Sequence, residues 1–279
     1  MLWRGRQGSS NVEDSRGVSG RGLAVGGGIG GVIIAIIYSL LGGDPSNMPN
    51  ISPGQRTESR QYNGEQSAAD DTLAQFVSVV LKETEDVWGN ILPNYQQPRL
   101  NMFSEGVQTA CGSASAAVGP FYCPGDEKVY IDLSFFRDLK ERFGAPGDFA
   151  MAYVIAHEVG HHIQHLSGTS DKVHSLQQQS SKSEGNKLSV KLELQADFLA
   201  GVWAHHAQRM KGILEPGDIE EALSAANAIG DDRLQEEAQG RVVPDAFTHG
   251  TSAQRMYWFK KGYQTGDVNQ GNTFDDPSL

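Results

Sequence analysis

Residues 148–166 read DFAMAYVIAHEVGHHIQHL and decide how the rest of the chain is interpreted. The stretch is apolar almost all round and Asp148 is suited to cap it, so we predict one buried helix here. His157 and His161 are four residues apart, which places them on one face of that helix, one turn from each other. Two imidazoles at this spacing can bind one tetrahedral Zn²⁺ ion.

Glu158 follows the first histidine and completes the pattern H-E-x-x-H, which is typical of zinc peptidases. A carboxylate at this position can take a proton from water bound to the metal. The alternative is coincidence, in which these side chains are solvated or satisfied inside an ordinary helix. A buried histidine or glutamate needs a partner in either case, because an unpaired buried charge is costly.

A second predicted helix, over residues 188–210, offers a third ligand. It is apolar on most faces, but Glu193 and Asp197 interrupt that surface and, four residues apart, share one side. Glu193 completes a His₂Glu set with His157 and His161, which is the ligand set of many catalytic zinc sites. Asp197 can accept the remaining ring N–H of a ligand histidine. The alternative is a solvated acid pair on an exposed stripe.

The composition divides the 279 residues into four parts and excludes one class of partner. A formal net charge of −11 argues against nucleic acid as a partner. Residues 1–22 are rich in Gly, Ser and Arg and are predicted to form a disordered cytoplasmic tail. Residues 23–43 carry no charge and have the length of ~20 residues that a transmembrane helix needs. Residues 44–66 are predicted to be a linker, and residues 67–279 a metallopeptidase domain.

Arginines before the apolar stretch predict its orientation. Arg4, Arg6, Arg16 and Arg21 precede it, so the positive-inside rule places the N-terminus in the cytoplasm and the domain outside. The expected location is the bacterial inner membrane, crossed once. A cleaved signal peptide is the alternative, but its basic region would be unusually long and no clear A-x-A site follows. The sequence does not indicate an oligomeric state.

A small β region is predicted between the first amphipathic helix and the histidine helix. Residues 121–123 and 129–133 predict a hairpin or two short strands, which gives a helix-rich α+β fold. Cys111 and Cys123 flank a loop of small residues and can form a disulfide if the domain lies outside the cytoplasm. Two free buried thiols are the alternative. Metal ligation by these cysteines lacks a second cysteine pair to complete the site.

Taken together, the motifs resemble those of a known group. H-E-x-x-H followed by E-x-x-x-D on a later helix is the pattern of gluzincin peptidases, whereas metzincins have Gly and His where this chain has Gln164 and Ser167. The runs AHEVGHH, ELQADFLAGVW and HGTSAQR are similar to those of the bacterial putative neutral zinc metallopeptidase family. This resemblance covers nearly the whole chain beyond the anchor. It implies a zincin-like fold, one zinc ion per chain and a membrane anchor.

The same resemblance implies a role for His249, which lies just before the last predicted helix, residues 251–261. In gluzincins with a late H-x5-R segment, the histidine faces the zinc-bound oxyanion, where an N–H group helps most in the transition state. Arg255 is expected to brace the loop or to add positive potential near the oxyanion. The alternative is a surface histidine beside a helix cap.

The sequence therefore predicts a membrane-anchored zinc metallopeptidase in which Glu158 is the general base. A peptide or protein substrate could be held by addition to an edge strand near residues 129–133. Two other functions stay open. One is a zinc-stabilised, membrane-tethered binding or assembly factor that cleaves nothing, although a structural site has no need of Glu158. The other is a zinc hydrolase that acts on a non-peptide amide.

Overall fold

The computed structural model describes residues 1–16, 64–115 and 118–279. The helices are α1 (Gly64–Ile91), α2 (Ser134–Glu141), α3 (Asp148–Leu166), α4 (Thr169–Gln177), α5 (Lys182–Lys211), α6 (Asp218–Ala228), α7 (Asp231–Gln239) and α8 (Ser252–Thr265). The strands are β1 (Val12–Asp14), β2 (Arg99–Phe103), β3 (Gly106–Thr109), β4 (Gly112–Ser115), β5 (Phe121–Cys123) and β6 (Lys128–Asp132). The predicted helix-rich α+β class is confirmed for these residues.

Helix α3 lies at the centre of the core and has the predicted bounds. It packs against α1, α5 and α6, and β5 and β6 lie against it as well. Its apolar residues are buried on several faces, among them Phe149, Tyr153, Ile155 and Val159. A helix that is apolar almost all round has to be enclosed in this way to remove its surface from water.

Glycines let α5 and α8 approach each other closely. A Cβ atom on Gly201 of α5 would lie 2.1 Å from the carbonyl oxygen of Phe259, and one on Gly262 of α8 would lie 2.0 Å from that of Phe198. No side chain fits at either point. The last helix was predicted to end at residue 261, but α8 continues through Gly262 to a left-handed cap at Gly266.

Four strands form one mixed sheet in the order β1-β2-β6-β5, while β3 and β4 form a separate hairpin. Strands β1, β2 and β6 are parallel, and β5 runs antiparallel to β6 with Tyr122 opposite Val129. The predicted pairing of residues 121–123 with the next strand is confirmed. The prediction of a substrate-binding edge near residues 129–133 is wrong, because β6 lies inside the sheet, whose edge strands are β1 and β5.

A disulfide joins Cys111 to Cys123, as predicted. Cys123 is buried beside Phe103 and Tyr130 in a small cluster of its own, separate from the main core. The cross-link ties the loop after β3 to the edge strand β5. In the chain-entropy account, closing a short loop of this kind stabilises the folded state by roughly 3 kcal/mol.

The prediction of a disordered tail over residues 1–22 is wrong for Met1–Arg16. Strand β1 pairs with β2 in the register Val12 to Leu100, and the ring of Trp3 is buried. Composition alone misled the prediction here, because a short polar segment can be ordered by partners that are distant in sequence.

The predicted anchor, residues 23–43, and residues 44–63 of the predicted linker lie outside the described residues. Within the described ranges, no helix is long and apolar enough to cross a membrane. Helix α1 begins at Gly64, slightly before the predicted start of the domain at residue 67.

We predict that Gly201→Ala destabilises the protein by about 1–3 kcal/mol, the usual result of forcing a methyl group into a packed contact. Gly89→Ala is the matched control, because a Cβ there meets nothing within 4 Å and Gly89 also lies in a helix. The control should be neutral or slightly stabilising. Urea unfolding of the two variants measures the difference. Equal urea midpoints for Gly201→Ala and Gly89→Ala would contradict the close contact between α5 and α8.

Candidate metal centre

Helices α3 and α5 bring three ligand atoms together. The Nε2 atoms of His157 and His161 lie 3.2 Å apart. Oε2 of Glu193, from α5, lies 3.1 Å from Nε2 of His157 and 3.5 Å from Nε2 of His161. The helices can approach closely because Gly160 faces the backbone of Ala196, where a Cβ would be 3.0 Å from the carbonyl oxygen. The three groups named from the sequence thus form one cluster.

The dimensions of this cluster fit a zinc ion. Ligands about 2.0–2.1 Å from a tetrahedral Zn²⁺ ion lie about 3.3 Å from one another, which is close to the separations found here. The electrostatics also favour a cation at this position. Burial opposes a charge on His157, but Asp197 and Glu193 outweigh it and raise the pKa of that imidazole to about 10. The donor set, two imidazoles and one carboxylate, is that of a catalytic zinc site.

Glu158 follows His157 in α3, is only 7% exposed and interacts electrostatically with His161, His157 and Glu193. Burial raises its pKa above the ordinary value for glutamate, while the positive potential of His161 and His157 opposes that rise. A carboxylate with a raised pKa is a better proton acceptor than one in water. Glu158 therefore lies buried in the electrostatic surroundings of the cluster, and its role as a base stays a prediction.

Asp197 lies behind the cluster, fully buried, and orients His157. Its Oδ1 atom is 2.8 Å from Nδ1 of His157 and 2.5 Å from the hydroxyl oxygen of Tyr153, which donates to it. Arg255 donates to both carboxylate oxygens, from Nε at 2.8 Å and from Nη2 at 3.0 Å. Burial opposes a charge on Asp197, but Arg255 and His157 outweigh it and lower its pKa to about 2.

These contacts bear on two expectations. Asp197 has the expected contact with His157. Arg255 was expected to brace the loop of His249 or to add potential near an oxyanion, yet its hydrogen bonds go to Asp197, to Tyr153 and to the carbonyl of Ile229. Arg255 is buried together with Asp197 and compensates that carboxylate, and its charge also acts on Glu158 and His249, acting to lower the pKa of each.

His161 is oriented by Gln164 rather than by a carboxylate. Nδ1 of His161 lies 2.9 Å from Oε1 of Gln164, and the amide nitrogen of Gln164 donates to the carbonyl of Leu192 at 2.7 Å. Because the amide oxygen can only accept, Nδ1 of His161 is the donor and Nε2 is left free for a metal. Gln164 also ties α3 to the part of α5 that carries Glu193.

His249 is held by Asp231, the first residue of α7. Nδ1 of His249 lies 3.2 Å from Oδ1 of Asp231, whose other oxygen accepts the backbone N–H groups of Thr248, His249 and Gly250. Burial lowers the pKa of His249, but the hydrogen bond to Asp231 and the charge of Glu193 outweigh it, so the net shift is upward. The charge of Glu193 reaches His249, which therefore belongs to the electrostatic surroundings of the cluster.

The remaining histidines lie outside the cluster. His162 is fully buried, and its Nε2 donates to the carbonyl of Gln96 at 2.7 Å, so its Nδ1 accepts from the hydroxyl of Tyr122 at 3.0 Å. It connects α3 to β5 as a packing residue, in agreement with its direction away from His161. His205 and His206 donate to carbonyl groups at the end of α8.

Sequence reasoning missed three residues of this site. Tyr153 and Gln164 carried a usable signal, because Tyr153 lies four residues before His157 and Gln164 three residues after His161, on adjoining faces of one helix. Asp231 carried no such signal, since it is 18 residues from His249 and contacts it only in the folded chain.

Comparison with known proteins places the chain in a family. Residues 1–274 match the family described as "Putative neutral zinc metallopeptidase". The chain is 51% identical to "Uncharacterized protein YpfJ" of Escherichia coli over 285 residues, which cover 98% of this chain and 99% of that relative. It is 47% identical over 203 residues to "Uncharacterized protein Rv2575" of Mycobacterium tuberculosis, covering 69% of this chain and 68% of the relative. No solved structure matches.

The match extends from the N-terminal segment to residue 274, past the end of α8, and so includes every residue of the candidate metal cluster and of the Asp197 network. The family description agrees with the donor set that α3 and α5 assemble. The chain therefore belongs to the family of putative neutral zinc metallopeptidases.

Proposed function

We propose that this protein is a zinc-dependent peptidase that hydrolyses peptide bonds, with His157, His161 and Glu193 as the metal ligands. The observation that carries the proposal is the triangle of donor atoms, 3.1–3.5 Å on each side, with the buried carboxyl of Glu158 next to it. A Zn²⁺ ion held there would lower the pKa of a coordinated water towards ~7 and polarise a carbonyl group.

Glu158 acts in this proposal as the base and then as the acid. It takes the proton of the attacking water and returns it to the nitrogen of the leaving amine. A purely structural zinc site has no use for a buried carboxylate beside its ligands, since burying an unneeded charge costs stability. The position of Glu158 therefore favours catalysis over a non-catalytic binding role.

His249 stabilises the oxyanion in this proposal, with Asp231 as its positioning residue. Asp231 accepts from Nδ1–H, so in the protonated imidazole Nε2–H is free to donate to the developing negative oxygen. When His249 loses one proton, the carboxylate keeps the remaining one on Nδ1, and Nε2 can no longer donate. The upward shift of the His249 pKa keeps the donor in place towards higher pH.

The substrate could lie along β5, the edge strand nearest the zinc helix. An extended peptide can add to a sheet edge through backbone hydrogen bonds. Tyr122 of β5 is hydrogen-bonded to His162 of α3. This contact fixes the edge strand relative to the helix that carries two of the proposed metal ligands. This proposal replaces the edge predicted near residues 129–133.

The first test separates metal binding from chemistry. Glu158→Gln should keep about one zinc per chain and lose turnover by several orders of magnitude, because it removes the base and leaves the ligands in place. His157→Ala should lose the metal as well as the activity. Zinc content and cleavage of a proteome-derived peptide library are measured for both. Full turnover by Glu158→Gln would refute the peptidase mechanism, and an inactive wild type that keeps its zinc would favour the binding role or a non-peptide amide substrate.

The second test uses the pH dependence of kcat. We expect kcat to be high below the His249 pKa and to fall as pH rises through it, since the Nε2–H donor is then lost. Asp231→Asn should move this alkaline limb to lower pH by about one unit or more, because it removes the opposite charge. Asp232→Asn is the matched control: its Oδ1 accepts from Ser252, not from His249. An unmoved limb in Asp231→Asn would contradict the role of the pair.

The third test removes the donor itself. His249→Ala should keep its zinc and its fold but lose about 10²–10³-fold in kcat, the usual effect of deleting one oxyanion donor. Steady-state kinetics on a peptide that the wild type cleaves, together with a zinc assay, measure this. Loss of the metal along with the activity would instead identify His249 as a ligand.

A further inference from the structure

The first sixteen residues are built into the same folded unit as the zinc site. Strand β1 is hydrogen-bonded to β2, with Val12, Glu13 and Asp14 opposite Leu100, Asn101 and Met102. Neighbouring strands of a sheet lie about 4.8 Å apart. Strand β2 pairs in turn with β6, so β1 is the outermost strand of the sheet that packs near α3.

Apolar contacts hold the segment as well. Trp3 is only 8% exposed, and its ring meets that of Phe76 edge to face with 5.3 Å between the centroids. Phe76 belongs to the buried face of α1, together with Val77 and Val80. Covering this face removes apolar surface from water on both elements.

Buried charges of α1 depend on the same segment. Glu83 and Glu85 are 2% and 3% exposed. Arg6 donates to Glu83 at 3.2 Å, and Asn11 donates to Glu85 at 2.7 Å. Without the N-terminal segment these carboxylates would lose part of their pairing, and an underpaired buried charge is destabilising.

The chain also leaves and re-enters the described structure near one place. The Arg16 guanidinium donates to the carbonyl of Asp70 at 3.1 Å and lies 3.5 Å from the carboxylate of Asp71. Both residues are in α1, which begins at Gly64, about 9 Å earlier along the helix at 1.5 Å per residue. Arg16 and Gly64, which flank residues 17–63, therefore lie on the same side of the domain.

We infer that Met1–Arg16 and residues 64–279 lie on the same side of any membrane that the protein joins. A single crossing by residues 23–43 would put ~30 Å of hydrocarbon between β1 and β2, which are hydrogen-bonded neighbours. The topology expected from the arginines, with the N-terminus in the cytoplasm and the domain outside it, is incompatible with this pairing. The inference does not depend on the proposed peptidase activity.

Cysteine labelling of the full-length protein in spheroplasts tests the inference. Ser10→Cys and Ala238→Cys introduce thiols at exposed positions of the N-terminal segment and of α7. A membrane-impermeant maleimide is applied before and after lysis, and the labelled peptides are identified by mass spectrometry. We expect both sites to react before lysis or both only after it, and the pattern also identifies the compartment. Labelling of one site before lysis and of the other only after it would overturn the inference.

A second measurement asks whether the segment is docked in the membrane-associated protein. Trp3→Ala should lower the melting temperature of residues 64–279 by about 6 °C or more, because it removes a buried aromatic side chain. The melting temperature is measured in membrane vesicles as the temperature at which these residues lose their resistance to protease. Leu2→Ala is the control, because Leu2 is 51% exposed, and it should change little. An unchanged melting temperature in Trp3→Ala would mean that the segment is elsewhere and would contradict the inference.

Discussion

The buried ion pair between Asp197 and Arg255 is the interaction on which the rest of the site depends. Asp197 comes from α5, Arg255 from α8, and the other groups that contact the carboxylate, Tyr153 and His157, from α3. One charge therefore links three helices. Such a pair is tolerated in a core only when every hydrogen-bonding position is used, and breaking one side of it is strongly destabilising. The fold and the orientation of His157, a candidate metal ligand, are thus fixed by the same atoms.

Close helix packing makes this arrangement possible. Helix α5 meets α8 at Gly201 and Gly262, where a Cβ atom would collide with backbone atoms, and it meets α3 at Gly160, where a Cβ atom would be in a tight contact of 3.0 Å. The short separations bring Glu193 within 3.5 Å of both histidines. The glycines therefore serve the position of the candidate metal cluster as well as the packing, because a triangle of donor atoms of this size requires helices that almost touch.

The N-terminal segment extends the domain in a way that has consequences beyond stability. It supplies a strand, an aromatic contact and partners for the buried acids of α1, and so it belongs to the unit that carries the metal centre. Strand β1 precedes the apolar residues 23–43 and β2 follows them, yet the two strands are paired. This pairing restricts the possible membrane topologies more than hydropathy and arginine counts do. Strand pairing is the stronger constraint, since it needs direct contact.

The sequence by itself determined the histidine helix, its bounds, the two histidines that share one face of it, and the acidic pair on α5, because all of these follow from helical periodicity and residue spacing. It also indicated the strands β5 and β6 and the disulfide. Only the tertiary structure decided that Asp231 holds His249, that Arg255 neutralises Asp197, and that residues 1–16 are ordered. The physical reason is that these contacts join residues 18, 58 and more than 200 positions apart, and local patterns carry no information about them.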